Sequence, residues 1–338
     1  MISQWQSAKM RLTSFTVAVP RLVTFCVLIV LSGAATAQRA YPIKTIRYIV
    51  PYPPGGSTDP MARMIAGKLT DRLGQSVIVD NRPGGNTIIG TETAAKSTPD
   101  GYTILWAGPA LFSAPSLFPK LPYDVLRDFV GVATLGKIHS VLVLHPSVPA
   151  NTVRELIALA KAKPGQLNYA HSGIGTNLHL SGELFNLMAG TKIQPVPYKG
   201  SGPLATDLLG GRVEMSFQIP ITVIAQINSG KLRAIAITGD ARLPALPQVP
   251  TFAEAGLSGY GLTGVTAIAA PAKTPRPVLD KLASEVAAVL AMPDTIDYMA
   301  KQGGEPFIST TEQTTAVIKE QVARYAKIIK DAGIKYEP

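Results

Sequence analysis

From Thr45 onward, short runs of β-branched and aromatic residues alternate with stretches of helical spacing, and this alternation constrains the fold more than any other feature. A strand followed by a helix returns most easily as a parallel neighbour, so the pattern predicts an α/β protein with mostly parallel sheets flanked by helices. Ile46-Arg47-Tyr48-Ile49-Val50 reads as the first strand. Met61, Met64, Ile65, Leu69 and Leu73 then keep helical spacing until Gly74 ends the run,. Val77-Ile78-Val79 is a second strand, "DNRPGGN" leads to a short helix around Ile88 to Lys96, and "DGYTILWAG" gives a turn and a third strand.

A second series of such units begins with "VLVLHPSVPANTVRELIALAKAKPGQ", a strand, a proline-rich connection and a helix opened by Thr152 and Glu155 at capping-box spacing,. This segment is the candidate for the first crossing between lobes. Strands at Leu167 to Ala170, near Val196, at Val213 to Ile219 and in "LRAIAIT" alternate with helices through Met188, up to Gly210-Gly211 and from Thr222 to Asn228. The proline-studded "GDARLPALPQVPTFAEAGLSGYG" returns the chain to "GVTAIAAP" and three closing helices, the last carrying an apolar stripe expected to pack on the first lobe,. With 338 residues the chain exceeds one ordinary core,. The expected organisation is two lobes with two crossovers: residues 38–140 and 261–338 form lobe 1, and 141–260 form lobe 2. Ligands in such folds sit at the carboxyl ends of the strands, so the cleft is expected where the loops of both lobes meet.

Residues 1–37 read as a signal peptide. Lys9, Arg11 and Arg21 precede the apolar run Leu22 to Leu31, and Ala35-Thr36-Ala37 is an A-x-A cleavage site before Gln38,. The run is about half of what a spanning helix needs. The one cysteine, Cys26, lies inside it, so the mature chain is expected to be cysteine-free, soluble and periplasmic,. Removing the leader lowers the formal charge from +10 to +7. The remaining cations are scattered, which argues against nucleic acid and for weak steering of small anions.

Two loops are candidates for chemistry. In "PYPPGGSTDP" Gly55 and Gly56 permit close backbone approach, Asp59 is placed to cap the following helix with Pro60 at its first position, and the free N–H groups there attract an anion,. A plain, well-capped turn is the alternative. No G-x-x-x-x-G-K-[ST] is present, so nucleotide phosphates are not expected,. In "HSGIGTNLHLSGELF" the start of a dinucleotide fingerprint fails at Leu178, where the third glycine belongs, yet Ser172, Thr176 and Asn177 still open a helix with a donor-rich end,. Two such ends facing one cleft suit the carboxylates of a small diacid. His179 and Glu183, four apart, make at most half a metal site, and neither Ser172 nor Ser201 has the nucleophile-elbow pattern,. No metal, cofactor or catalytic role is expected. Tyr52, Trp106, Phe112 and Phe217 either line the cleft or belong to the core.

Taken together and in order, "YPIKTIRYIVPYPPGGSTDPMAR", "LGQSVIVDNRPGGNTIIG", "PDGYTIL", "LPYDVLRDFVGVA", "GELFNLMAGTKIQPVPYKGSGPLATDLLGGRVEMSF", "GKLRAIAIT" and "PQVPTFAEAG" resemble the Bug-type periplasmic solute receptors of tripartite tricarboxylate transporters. The resemblance implies a type II periplasmic binding protein fold, capture of a small organic carboxylate, and delivery to membrane permease subunits by a monomeric receptor. By position it places Pro53, Gly55, Gly56, Ser57, Thr58 and Asp59 in one jaw and Ser172, Gly173, Gly175, Thr176 and His179 in the other, with Tyr198 and Lys199 of "VPYKG" at the rim. Many family members carry Asp after the Phe of "GGxVxxxF", where this chain has Gln218; a cleft-facing Gln218 would disfavour ammonium-bearing ligands. A sensor receptor with the same cleft, or a periplasmic hydrolase, are the alternative readings.

Overall fold

Every residue of the first strand except Arg47 is buried, and that apolar run organises the first half of the molecule. The computed structural model describes residues 41–334 apart from Ser57. The expected leader with its cleavage site, Cys26 and Ser57 therefore lie outside the described residues. From Lys44 onward the described chain forms one unit containing two sheets.

The first sheet is built from β1 (Ile46–Val50), β2 (Val77–Asn81), β3 (Thr103–Ala107), β4 (Phe129–Ile138), β10 (Gly264–Pro271) and β11 (Gly304–Pro306), in the order β11-β4-β10-β3-β1-β2. Helices α1 (Asp59–Leu73), α2 (Ile88–Ala95), α3 (Pro109–Leu117) and α4 (Val125–Asp128) connect its early strands. β1 pairs in parallel with β2 and β3, Ile46 facing Val77 and Arg47 facing Thr103. The second sheet has the order β7-β6-β8-β5-β9, from β5 (Val141–Leu144), β6 (Asn168–His171), β7 (Gln194–Pro197), β8 (Met215–Gln218) and β9 (Arg233–Ile237). Its helices are α5 (Val153–Ala162), α6 (Asn177–Ala189), α7 (Ser201–Leu209) and α8 (Pro220–Asn228). The closing helices α9 (Arg276–Leu290), α10 (Pro293–Lys301) and α11 (Thr311–Asp331) follow β10.

Both sheets are mixed rather than mostly parallel. β10 runs antiparallel to β3 and β4, β11 to β4, and β5 to β8 and β9. The antiparallel strands are largely those that carry the chain between sheets: β4 passes straight into β5, and β10 is the return. The crossing lies at His139-Ser140, upstream of the segment expected to hold it, and the return passes beside it, since Ser140 N–H donates to Thr238 Oγ1 at 2.8 Å.

β5 shows why a short strand suffices for a core. Leu142 and Leu144 pack with Tyr169, Phe217 and Ile235 on one face, while Val141 and Val143 pack with Ala170, Leu204 and Ile237 on the other. Alternation sends successive side chains to opposite faces, and with helices on both sides a continuous apolar run is buried throughout. In the first sheet, Phe112, Tyr123, Ile318, Tyr325 and Ile329 share one cluster, which seats α11 as its apolar stripe predicts.

Four elements have no counterpart in the sequence pattern: α3, α4, β4 and β11. Pro115 stands inside α3, and glycines interrupt β4. Gly136 is needed there because a Cβ would come within 2.3 Å of Glu305 O on the adjacent β11. The expected capping box on α5 is only half formed: Thr152 Oγ1 accepts from Glu155 N at 3.1 Å, but the Glu155 carboxylate takes Asn151 N–H at 2.7 Å instead of the cap's own.

Candidate functional site

The carboxyl ends of β1, β2, β3 and β6 open into one cleft of about 840 Å3. The loop after β1 supplies Pro53, Gly55, Gly56 and Thr58, and the loop after β6 supplies Ser172, Gly173 and Thr176. Tyr198 and Lys199 line it from the start of the β7–α7 connection. Lys199 is the one charged side chain among the described lining residues, so the wall offers hydrogen-bond donors, apolar surface and one cation, with no carboxylate to repel an anion.

Local chemistry shapes the first loop. Gly55 has φ +75°, a region costly to other residues. Asp59 does not cap α1, as the sequence suggests; Thr58 is the N-cap, without a side-chain cap bond, and Asp59 and Pro60 open the first turn. The buried Asp59 carboxylate instead accepts from Gly55 N–H at 3.1 Å, Asn81 Nδ2 at 2.9 Å and Arg63 Nε at 2.9 Å. Burial pushes its pKa up, but the bonds from Arg63, Gly55 and Asn81 outweigh burial and hold it below the usual carboxylate range,. Asp59 thus fixes the loop from behind and does not line the cleft.

The second loop is held the same way. Thr176 caps α6, its Oγ1 accepting from His179 N at 3.3 Å and donating to Gly173 O at 2.7 Å. His179 Nδ1 accepts from Gly175 N–H at 3.1 Å, so the ring proton sits on Nε2. Its ring lies 4.4 Å from that of His171. Burial, reinforced by His171, lowers His179 to about 3, and burial lowers His171 to about 4 against a bond to Gly173 O. Both rings are neutral at ordinary pH. Glu183 accepts from Tyr169 OH, so the His179/Glu183 pair is committed to structure, and among the described residues no group of three His, Cys, Asp or Glu is arranged to hold a metal. Gly175 and His179 support the jaw from behind rather than lining the cleft.

Gln218 is also behind the wall. It is 3% exposed, donates to Ser216 Oγ at 2.7 Å, and leaves its neighbour Ile219 on the cleft surface. Gln218 therefore does not face the cleft, and the exchange of a carboxylate for an amide at this position leaves the charge of the wall unchanged. At the rim, Tyr198 OH donates to Asp207 at 2.9 Å, turning its polar end away, while Lys199 is exposed.

The sequence pattern misses several lining residues. Trp106 and Tyr52 line the cleft, whereas Phe112 and Phe217 lie in the core clusters. Asn177, which the sequence places at the donor-rich start of α6, also lines it, and so do four residues that the pattern misses, Asn86, Thr87, Gly264 and Thr266. The signal for Asn86 and Thr87 was available in "RPGGNT", a second glycine-rich loop after a strand; Gly264 and Thr266 carry none, because they reach the cleft only through the return of β10. The lobes touch through this surface. Asn86 Nδ2 donates to Ile174 O at 2.6 Å, Ser113 Oγ to Gly175 O at 2.9 Å, and Asn177 Nδ2 to Ser140 Oγ at 3.2 Å.

Known proteins resemble this chain in sequence and fold. A family model described as "Tripartite tricarboxylate transporter family receptor" matches residues 61–334. Protein BugT of Bordetella pertussis is 40% identical over 308 residues, 90% of this chain and 94% of that protein. Among solved structures, R. palustris Rpa4515 with adipate has TM-score 0.83 at 33% identity, covering 87% of this chain and 99% of that one. MatC from Rhodopseudomonas palustris with bound malate has TM-score 0.78 at 28% identity, covering 86% and 100%. The chain is therefore a two-lobed periplasmic-binding-protein fold and belongs to the tripartite tricarboxylate transporter receptor family.

Proposed function

We propose that this protein is a periplasmic receptor that captures a small organic carboxylate between its lobes and delivers it to the membrane permease of a tripartite transporter. The observation that carries the reading is the charge of the cleft: loops rich in backbone donors face it from both lobes, and Lys199 is the one charged described side chain on its wall. Relatives solved with adipate and with malate support the same ligand class. The lobes in this reading are residues 38–140 with 261–338, and 141–260, consistent with the sheet to which each strand belongs.

Binding follows from preorganisation. Asp59 and Thr176 hold the two loops in place before a ligand arrives, so little ordering remains to be done on binding. Gly56 and Thr58 of the first loop and Ser172 and Gly173 of the second then present N–H and hydroxyl donors to the anion, and hydrogen bonds to a charged group are stronger than neutral ones, more so where water is excluded. The interlobe bonds of Asn86, Ser113 and Asn177 hold the closed arrangement, and only closure sets the two lobe surfaces side by side for a permease.

Thermal shift of the protein from Gln38 against succinate, malate, adipate, citrate, benzoate and glutamate tests the reading, because a ligand that binds only the native state raises Tm by mass action. A shift of several degrees with at least one acid, matched by calorimetric binding, is expected. No shift with any of them would remove the carboxylate assignment.

A further inference from the structure

No expectation from the sequence attaches a ligand to the loop between β2 and α2, yet it is the most unusual backbone on the cleft wall. Gly84, Gly85, Asn86 and Thr87 have φ of +120°, +56°, +52° and +76° in succession. Two of these are not glycine, and threonine is β-branched, so the conformation is held at a cost. Thr87 stands at the N-cap of α2 but makes no side-chain cap bond, although a hydroxyl there ordinarily accepts from the first helical turn. Thr87 is 5% exposed and lines the cleft, and its hydroxyl has no hydrogen-bond partner among the described residues.

A buried hydroxyl without a partner is destabilising. The residue therefore combines an unfavourable φ, an unused cap and a buried, unpaired hydroxyl within the wall of the cleft. Resting on the carboxylate-receptor reading above, we propose that Thr87 Oγ1 and the start of α2 form a third carboxylate-holding element, beside the two jaws. Turned about χ1 from its buried position towards the cleft, the hydroxyl donates to a carboxylate oxygen, and the positive end of α2 favours the negative charge. Asn86 places this element at the junction of the lobes, because its bond to Ile174 O ties the loop to the second jaw. A ligand carboxylate is thereby gripped from three loops, two of them in the first lobe.

The decisive variant is Thr87→Val, which keeps the β-branched shape and the same φ but exchanges the hydroxyl for a methyl. If the hydroxyl serves the ligand, stability and binding move apart. The unliganded Tm of Thr87→Val is no lower than that of the wild type, since an unsatisfied polar group has been removed. Calorimetric affinity for whichever of the six acids above binds the wild type most tightly falls about tenfold, the loss of one hydrogen bond to an anion. Thr87→Ser restores the affinity to within about threefold. Wild-type affinity in Thr87→Val overturns the proposal, as does a fall of Tm and affinity together that serine does not rescue, which assigns Thr87 to structure. Should the valine variant not fold, a crystal structure of the wild type with the same acid decides: a carboxylate oxygen within hydrogen-bond distance of Thr87 Oγ1 is expected, and its absence there rejects the assignment. Failure of the wild type to bind any of the acids is a different result, seen before any variant is made; it overturns the receptor reading and this inference with it.

Discussion

Replacing Asp59 by Asn tests whether the first jaw is preorganised from behind. The carboxylate is 5% exposed and accepts three hydrogen bonds, from Gly55 N–H, Asn81 Nδ2 and Arg63 Nε. Asparagine keeps one acceptor oxygen but sets an amide donor against one of these donors, so at least one bond is lost and the others lose their charge. Bonds to a charged acceptor contribute about 1.5–3 kcal/mol each when buried. The Arg63 side chain is 53% exposed, so its share is at most about 1 kcal/mol. A net loss of about 2–3 kcal/mol is expected, or roughly 3–5 °C in Tm for a chain of this size. Calorimetry should show weaker carboxylate binding as well, because Gly55 is no longer anchored. The pH dependence has a definite sign. Asp59 is held below its ordinary pKa, so its stabilisation is complete above the unfolded value of about 4 and is lost as pH falls through the lower folded value. The wild type therefore loses a component of stability in acid that Asp59→Asn lacks. A Tm within 1 °C of wild type, with parallel acid profiles, would refute the account of Asp59 as the anchor.

The other predictions address the second jaw and the lobe contact. Gly175 has φ +72°, and a Cβ there would lie 2.4 Å from Ser113 Oγ and 2.5 Å from Leu117 Cδ1; Gly175→Ala should cost about 2 kcal/mol or more and weaken carboxylate binding at least tenfold, read by thermal shift and calorimetry. Asn86→Gly leaves φ +52° accessible but removes the bond to Ile174 O, so affinity should fall about threefold to tenfold while Tm changes little; equal losses of both would mean that the bond serves the fold alone. His171 and His179 are lowered by burial to about 4 and about 3, below the unfolded value of about 6.5. The unfolded chain thus takes up protons first, and Tm should drop as pH falls from about 6.5 towards 4. His171→Gln should flatten that slope, and a slope equal to wild type would show that His171 is not the titrating group.

The alternation of strand and helix, the two-lobed organisation and the two glycine-rich loops that line the cleft were legible in the chain because each depends on local pattern. Apolar spacing marks the strands and helices whatever they pack against, and glycine followed by Ser, Thr or Asp at a helix start signals a donor-rich turn within a few residues. What tertiary structure alone decided is how these pieces divide their work. Asp59, placed by sequence to cap α1, is drawn to Asn81 of the neighbouring strand and becomes an anchor; His179 turns inward onto Gly175; Gln218 is buried against Ser216. Thr266 and Gly264 join the cleft through a strand that returns antiparallel from the other lobe, a pairing between residues more than a hundred positions apart that no local spacing encodes. Sequence by itself determined which segments are regular and where donors cluster. Which side of each donor faces a ligand was set by long-range packing, because the direction of a side chain depends on neighbours that only the folded chain brings within hydrogen-bond distance.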